Sequence, residues 1–589
     1  MRSRFDSCAL CVLAAALLAA CPGAAQAVEI QLGPVTGSLD NTISVGTSIR
    51  VSDREPSLVG RSQGGTAYSV NGDDGNLNYD EGPFANAGKV THDLYLRWLD
   101  YGAFVRGSYF YDIENMDGDR ARTSLTDKAK GLVGRDGRLL DAYLQAGFRP
   151  GGRPLDVRAG WQVLNWGEST FLTNGIAVAS PVDVSKLRVP GSELREGFLG
   201  IPMARASASV APGLSLEGFY SFQWDRTDID PPGTYFSTND FAGDGGKFVV
   251  LGFGGVPDTG LGNPALLRWT HVPRARDREA RNEGQFGFAT RWLSPLAGTE
   301  FGLYHLTVHS KLPIISAIAA SAFAPNPLRP GNPVQPVPGS GAYVIEYPEF
   351  IRVFGGSFNT ALPWGGVALQ GEYSHHQDEP LQVDDVEILL AALAPAPVPP
   401  AAYPSQLPQP MTGGDVSGYI RRNVSQAQMT ATKLMGPTLA ASEWVLLGEA
   451  GFTQVHRMPG ESELRLEGPG TPLPGNPLVA AANGVPAQDG GFATAFSWGY
   501  RVVTRMDFES VVGALGMSPR LAFSHDVEGV SPVPAGNFVE GRKAITVGLG
   551  LSYLARWAAD LSWTDFFGGG SHNQILDRDF VSASLKYAF

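Results

Sequence analysis

The sequence predicts an all-β protein: a transmembrane antiparallel β-barrel of about eighteen strands, with sixteen possible, long external loops and an inserted plug-like loop. Three observations carry this prediction. Segments of alternating apolar and polar residues recur along the whole chain. Beyond the N-terminal segment, no apolar run approaches the roughly twenty residues that a membrane-spanning helix needs. Short and long connections alternate along the chain, as in barrels with short periplasmic turns and long external loops.

The strand pattern is clearest where charges keep to one face. In PLDVRAGWQV, residues 154–163, Asp156 and Arg158 share a face that the apolar residues avoid. The segments 297–309 and 518–525 alternate poorly, so sixteen strands stay possible. An even number of strands returns both termini to the periplasm. The predicted strands are 41–52, 90–100, 101–112, 138–148, 154–163, 198–209, 213–224, 283–293, 297–309, 349–361, 365–376, 424–435, 441–454, 494–507, 518–525, 543–553, 557–567 and 578–589.

The N-terminus predicts export. Arg2 and Arg4 precede an apolar stretch, and Ala25-Gln26-Ala27 is a small-x-small cleavage site, so residues 1–27 are predicted as a signal peptide and 28–589 as a single barrel domain. The run 18–21 also resembles a lipidation box, although a proline directly after its cysteine argues against lipidation. The predicted mature chain would contain no thiol, since all cysteines lie in the leader, namely Cys8, Cys11 and Cys21.

Composition and motifs narrow the function classes. The formal net charge of −13 argues against a nucleic-acid partner. We find neither G-x-S-x-G nor H-E-x-x-H, and we predict no enzyme, no cofactor and no metal. His375 and His376 are interpreted as part of a solvated strand end. The run from Asp74 to Asp80 resembles a calcium loop, but it lacks the turn glycine and the closing glutamate, which favours a solvated Asx-rich turn.

The most distinctive long connection is WQVLNWGESTFLTNGIAVASPVDVSKLRVPGSELREG, residues 161–197. Turns are predicted at 180–183 and 190–191, and a short helix at 192–196. Folded inward, the segment would plug or constrict the lumen, and an external cap is the alternative. The gate or plug candidates are Trp166, Glu168, Phe171, Asn174, Pro181, Asp183, the Lys186–Leu187 pair, Arg188 and Glu193.

Charged residues on the second face of the strands are candidates for the lumen. Both signs occur, as in a porin whose opposed acidic and basic walls orient polar solutes, whereas a carrier of apolar compounds would need a dry path past Phe and Leu of the plug. Helical spacing of apolar residues predicts an amphipathic helix at 380–393, at the external mouth. The lumen candidates are Asp141, Asp156, Arg158, Glu217, Arg291, Glu372, Arg501 and Arg505, together with Asp93, Arg97, Glu449 and Lys586.

The chain ends on DFVSASLKYAF, in which Tyr587 and Phe589 lie on the apolar face. In a barrel this last strand pairs with the first, and the two rings would join an interfacial aromatic girdle. A terminal strand ending in Phe is similar to the insertion signal that the outer-membrane assembly machinery recognises. Both residues are therefore predicted to form an assembly signal.

The runs 71–82, 161–197, 346–362 and 380–393, with LDAYLQAGF before them, resemble a Gram-negative outer-membrane family known as DUF1302. The chain has Ser180 and Phe350 where the family pattern has Asn and Asp. The resemblance implies an outer-membrane location, in contact with outer-membrane lipid. It also implies a periplasmic or lipoprotein partner and an inner-membrane transporter of the resistance-nodulation-division type.

From these partners the resemblance implies movement of a hydrophobic, sterol- or lipid-like compound across the envelope. A general porin for small polar solutes is the alternative, and a structural envelope protein is the third reading.

Overall fold

Eighteen antiparallel strands close into one barrel in the computed structural model, which describes residues 28–589 except 261–262, 297, 329–330, 332–333, 364, 400–403 and 535. The predicted signal peptide lies outside the described residues. The barrel strands are β1 Val35–Arg50, β2 Gly82–Trp98, β3 Tyr101–Asp112, β4 Arg135–Phe148, β5 Leu155–Gln162, β6 Ile201–Ala211, β7 Leu214–Ser221, β8 Gln285–Ser294, β9 Thr299–Val308, β10 Ile351–Ala361, β11 Val367–Gln382, β12 Tyr419–Leu434, β13 Glu443–Val455, β14 Phe496–Val512, β15 Leu515–Glu528, β16 Lys543–Tyr553, β17 Trp557–Phe567 and β18 Phe580–Ala588.

Each barrel strand pairs with its neighbours in sequence, and the last strand closes the ring. β1 pairs with β2 on one side and with β18 on the other, where Thr42 lies opposite Ala588. Asn41 and Phe589 exchange two backbone hydrogen bonds of 2.8 and 2.9 Å. Closure leaves no strand edge to be solvated by lipid. The two weakly alternating segments form β9 and β15, so eighteen strands is right and sixteen is wrong.

The two faces of the barrel differ as the alternation predicts. Large apolar side chains such as Phe288, Leu303 and Leu561 stand exposed on the outside, and Trp98 and Tyr101 stack beside a short turn. Polar and charged side chains occupy the inner face. This is the arrangement of a transmembrane barrel with an aromatic girdle. Among the described residues, no helix is long and apolar enough to span a membrane.

All long connections lie at one end of the barrel and all short turns at the other. The external loops contain the helices α1 Asp74–Leu77, α2 Ile113–Asp117, α3 Asp127–Ala129, α4 Val184–Leu187, α5 Leu194–Gly197, α6 Pro264–Thr270, α7 Asp385–Ala392 and α8 Pro477–Ala482. Short strands are Val28–Leu32, Phe248–Val250, His271–Pro273, Ile314–Ile318, Phe323–Pro325, Val334–Pro336, Ala342–Glu346 and Asp415–Val416. A π-helical turn covers Lys130–Gly134, and 3-10 turns cover Pro56–Leu58, Arg61–Gln63, Pro150–Gly152, Pro338–Ser340 and Gly570–His572.

The helix predicted at 380–393 is shorter than expected and is not amphipathic in its setting. β11 runs on to Gln382, and α7 begins only at Asp385. Ile388 and Ala391 are buried in an apolar cluster with Leu466 of another external loop. The structure therefore confirms a helix in this segment on the external side, while its predicted start and its amphipathic character were wrong, since apolar side chains at helical spacing serve equally well in a helix that is buried on several sides.

Candidate functional site

The connection between β5 and β6, residues 163–200, folds into the lumen, and we call it the plug. Its local structure follows from its polar residues. Asp183 caps α4 by accepting a 3.2 Å hydrogen bond from the Lys186 backbone N–H. Glu193 and Glu196 form a capping box at the start of α5. The predicted turn at 190–191 and a short helix near 192–196 are therefore present, whereas the turn predicted at 180–183 was wrong, because Val182 and Asp183 are extended and form β-bridges.

Trp166 fastens the apolar side of the plug to the barrel wall. It is 1% exposed, and its indole N–H donates a 2.8 Å hydrogen bond to Glu217 on β7. Its ring packs on Phe219 and Tyr304, with centroids 5.2 and 5.8 Å away. Leu164, Ile176 and Ala179 extend this cluster over the inner faces of β6 to β10. The carboxylate of Glu217 is held in turn by Arg205 and by Arg291, the latter 3.4 Å away.

Glu372 of β11 holds two turns of the plug at once. Its carboxylate accepts backbone hydrogen bonds from Glu168 at 2.6 Å and Ile176 at 3.0 Å, and one from the Gln428 side chain at 2.6 Å. Gly167, with φ of 96°, and Gly175 line this carboxylate, and a Cβ on either would overlap its oxygens. Glycine is thus required at both positions for the plug to approach the wall.

Glu449 of β13 provides a second carboxylate anchor. Its oxygens accept three successive plug N–H groups, those of Thr170 at 2.9 Å, Phe171 at 2.7 Å and Leu172 at 2.9 Å. Three consecutive amides aimed at one carboxylate satisfy donors that would otherwise be unpaired in a turn, and charge-assisted bonds of this kind are among the stronger ones. The Phe171 side chain, 41% exposed, points away from this anchor.

A histidine and an asparagine complete this attachment. The Gly175 carbonyl lies 3.0 Å from His376 Nε2, and the other ring nitrogen lies 3.0 Å from Glu379. His376 is buried, so its interpretation as a solvated strand end was wrong. Asn537 and the plug residue Thr173 exchange hydrogen bonds of 3.1 and 2.9 Å.

The second half of the plug reaches the opposite side of the barrel through ion pairs. Asp183, fully buried, lies 3.0 Å from Arg138 of β4, and Arg188 lies 3.3 Å from Asp230 in an external loop. Glu193 lies 3.3 Å from Lys586 of β18. In the same half, Glu196 pairs with Lys89 and accepts a hydrogen bond from Thr91. Arg195 pairs with Asp93. Lys186 pairs with Asp136 and lies over the Phe110 ring.

The remaining plug and lumen candidates take smaller parts. Pro181 is buried and its carbonyl accepts from Leu199, Asn174 has a φ of 63°, and the Glu168 carboxylate accepts from Asn359 at 3.0 Å. Asp141 pairs with Arg106, Arg501 with Asp526, and Arg505 with Asp507, at 3.5, 2.6 and 2.9 Å. Arg158 lies over the Tyr143 ring, and Asp156 lies opposite Gly147 and Ser207.

Between the plug and strands β15–β18 lies a cavity of about 700 Å³, which we call the side channel. It extends along the whole of β17, from Ala558 near the periplasmic turn to Phe566 near the external end. Its charged groups include Arg520, which lies 2.9 Å from Asp560. Its lining includes many small hydroxyl side chains, namely Ser48, Ser192, Ser518, Thr546, Ser552, Ser562, Thr564, Ser582 and Ser584.

A second cavity of about 700 Å³, the vestibule, is enclosed by the external loops. Phe236 lines both the vestibule and the side channel, and it packs on Phe580 with the Arg188 guanidinium 4.1 Å above its ring. An aromatic cluster of Tyr79, Phe84 and Tyr235 surrounds this junction. The two cavities thus share an aromatic wall at Phe236, which we call the collar.

Sequence reasoning placed the lumen charges on the inner face but missed several of their partners. Glu196, Gln428 and Asn537 were not candidates, because nothing in the local sequence marks which polar residue will face a loop that lies far away in the chain. The interpretation of the run from Asp74 to Asp80 as a solvated turn was also wrong. Asp74, Asn76 and Asn78 are buried, and only Asp80 is largely exposed.

The C-terminal residues lie where the sequence placed them. Tyr587 stacks on Phe589, with centroids 5.6 Å apart, and packs at an angle of 41° against Trp557 of β17, with centroids 4.6 Å apart, next to a short turn. Recognition of this end by the assembly machinery stays a prediction.

A closed barrel of eighteen strands with an apolar exterior and a lumen-inserted loop defines an outer-membrane protein of the Gram-negative type. The chain belongs to the family described as Protein of unknown function (DUF1302), whose profile matches residues 8–589. No curated protein matches the sequence.

Solved structures with a similar outline include three bacterial proteins, each 10% identical to this chain. OccAB3 of Acinetobacter baumannii has a TM-score of 0.42, over 95% of this chain and 100% of its own. OccK2 (OpdF) of Pseudomonas aeruginosa in complex with glucuronate has a TM-score of 0.36, over 94% and 97%. OpdK of P. aeruginosa with vanillate also has 0.36, over 94% and 98%. Similarity at this level supports no statement about the substrate of this chain.

Proposed function

We propose that this barrel lets small hydrogen-bonding solutes cross the outer membrane through the side channel, with the plug setting the width of the route. The observation that carries the proposal is the row of Ser and Thr hydroxyls along the full height of β15–β18. Hydroxyls both donate and accept hydrogen bonds, so they replace part of the water shell of a polar solute without holding it tightly.

The plug supports a polar rather than an apolar route. Trp166, Leu172 and Ile176 are buried against the wall, so they offer no continuous dry path for an apolar compound. On the channel side the plug presents Arg188, Pro190 and Ser192. The solute would enter by the vestibule, pass the collar at Phe236 and run down beside the plug.

A second candidate function keeps the hydrophobic, sterol- or lipid-like compound that the family resemblance implies. A groove of about 650 Å³ on the outer face of β9–β14 favours it. Leu303, Tyr373, Met429 and Phe452 form its rim and Gly356 its floor, so a bilayer-dissolved compound would find an apolar pocket there. A periplasmic partner and a resistance-nodulation-division type transporter would belong to this second function.

Conductance and permeation measurements distinguish the polar route from the apolar one. We expect the intact protein in planar bilayers to show small, steady conductance, and a variant lacking residues 170–192 to conduct several-fold more. Proteoliposomes should swell in pentose or amino-acid solutions at a rate that the deletion increases. Transfer of a labelled sterol without swelling, in intact protein and deletion alike, would replace the polar route by the apolar one. A conductance that the deletion leaves unchanged would remove the plug from the mechanism.

A further inference from the structure

Two carboxylate triads lie in the external loops, outside the plug and the side channel. The first consists of Asp73, Asp74 and Asp240, and the second of Asp384, Asp385 and Glu467. In each triad, one oxygen from every residue lies within 4.8 Å of the others. Each triad joins two loops that are distant in sequence.

The first triad is incompletely hydrogen-bonded, and two of its residues, Asp73 and Asp74, are buried. Asp73 is 1% exposed; its Oδ2 accepts a 2.8 Å bond from the Gly60 N–H, while its Oδ1 has no hydrogen-bond partner. The Oδ1 of Asp240 is likewise buried without a partner. Thr123 donates to Asp74 at 2.8 Å. A buried carboxylate oxygen without a donor is costly unless a cation or a proton satisfies it.

The second triad repeats this arrangement. Asp384 is fully buried and its Oδ2 has no partner, while Oδ1 receives only a 3.4 Å bond from the Val386 N–H. Glu467 accepts from the Asp385 N–H at 2.8 Å and from Thr471 at 3.1 Å. Backbone and hydroxyl donors orient the carboxylates here, but these donors are uncharged and do not neutralise the carboxylates.

Among the described residues, the arginines nearest to the triads form their ion pairs with other acids. Arg122 pairs with a fourth acid, Asp258, and Arg578 near Asp240 pairs with Asp577. In the same way Arg465 lies 3.0 Å from Glu387.

Burial raises the pKa of Asp73 to about 7 and that of Asp385 to about 6, because removal from water disfavours the charged carboxylate. A divalent cation would remove this cost without protonating the triads.

We propose that each triad binds a calcium ion and thereby ties two external loops together around the vestibule. Calcium takes oxygen ligands at about 2.3 to 2.6 Å in flexible geometry, which suits three carboxylates at this spacing, whereas magnesium keeps more of its own water. The first ion would join the loop after β1 to the loop after β7. The second would join the loop after β11 to the loop after β13. Asp73, Asp385 and Glu467 line the vestibule, so both ions would stiffen its wall.

Calcium binding to the full mature protein in detergent, freed of metal with EGTA, tests the proposal. Isothermal titration should find two bound calcium ions in the wild type, one in Asp240→Asn, one in Glu467→Gln and none in the double variant. Asp80→Asn and Glu463→Gln are matched controls, since both acids are exposed in the same loops, and they should keep two ions.

The heat-dependent mobility shift of the barrel checks that each variant has assembled. If Asp240→Asn does not assemble, Asp74→Asn tests the same triad. A wild type that binds no calcium at millimolar concentration overturns the proposal. A variant of one triad that binds as many ions as the wild type overturns the assignment of that triad.

Discussion

The two sides of the lumen are built differently. On the side of β7–β13, buried glutamates at positions 217, 372 and 449 receive plug N–H groups, and the plug lies flat against the wall. On the side of β15–β17, the wall carries small hydroxyls and faces the side channel. We call these the anchored wall and the open wall.

The difference shows how one barrel can hold a plug firmly and still keep a route beside it. A carboxylate that accepts several amides in a low-dielectric site is a strong and specific anchor, because each bond is charge-assisted and each amide would otherwise be unpaired. Serine and threonine make weaker and more adaptable contacts. The plug is therefore expected to be displaced by changes on the anchored wall and to be insensitive to changes on the open wall.

Loss of the Glu449 anchor should have the largest effect on bilayer conductance. Glu449→Ala leaves three plug amides without their acceptor, and the one that is buried, that of Leu172, costs about 1 to 3 kcal/mol when it is unpaired. We expect a several-fold rise in bilayer conductance. Glu449→Gln, which keeps one carbonyl acceptor, should give an intermediate rise. Glu509→Gln, an exposed glutamate on β14, is the control and should conduct like the wild type. Unchanged conductance in Glu449→Ala would mean that this carboxylate does not hold the plug.

The sequence predicted the anchored wall only in part, and the reason is distance along the chain. The strands were predictable because alternation and turns are local properties, and the same alternation placed Glu372 and Glu449 on the inner face. Their partners lie 204 and 279 residues away, and no local pattern links them. Gly167 and Gly175 look like ordinary turn residues until the carboxylate that they accommodate is seen. Likewise, no sequence motif relates Asp240 to Asp73.

Replacing a glycine of the plug should also displace the plug from the anchored wall, by steric overlap and with a smaller effect on conductance. In Gly175→Ala the added Cβ would overlap the Glu372 carboxylate and the Gln428 amide, so the plug has to move away from the anchored wall. We expect a rise in conductance of lesser size than in Glu449→Ala, because the other anchors remain. Gly88→Ala is the matched control, since no atom lies within 4 Å of a Cβ built there. Faster protease cleavage of the plug in Gly175→Ala, absent in the control, would accompany the rise, and equal behaviour of both variants would contradict the steric explanation.

On the open wall, replacing the Arg520 and Asp560 pair should change permeation without releasing the plug. The two side chains are 30% and 39% exposed, so the pair contributes at most about 1 kcal/mol to stability. Arg520→Gln removes one positive charge from the side channel, and we expect a moderate shift of the reversal potential toward cation selectivity. Protease sensitivity of the plug should stay at the wild-type level. A plug that becomes cleavable in Arg520→Gln would show that the open wall also anchors it.

The smallest expected effect concerns pH, at the point where the plug meets an external loop. Asp228 is surrounded by Asp183 of the plug, Arg138 of β4 and Arg226, while Asp136 of β4 pairs with Arg138 and with Lys186 of the plug. Burial, followed by repulsion from Asp183, raises the pKa of Asp228 to about 6 from an ordinary value of 3.8. The folded state therefore holds this proton more tightly than the unfolded state between these two values, and stability falls as the pH rises through that window.

We accordingly expect the temperature at which the compact electrophoretic form is lost to be a few degrees higher at pH 5 than at pH 7, after correction for the other groups that titrate. Asp228→Asn should reduce this difference, because the amide is neutral at both pH values. Asp119→Asn, an exposed aspartate of another external loop, should leave the difference unchanged. A pH dependence that is equal in Asp228→Asn and the wild type would assign the effect to other carboxylates, and it would leave the Arg138 contact as an ordinary ion pair between plug and loop.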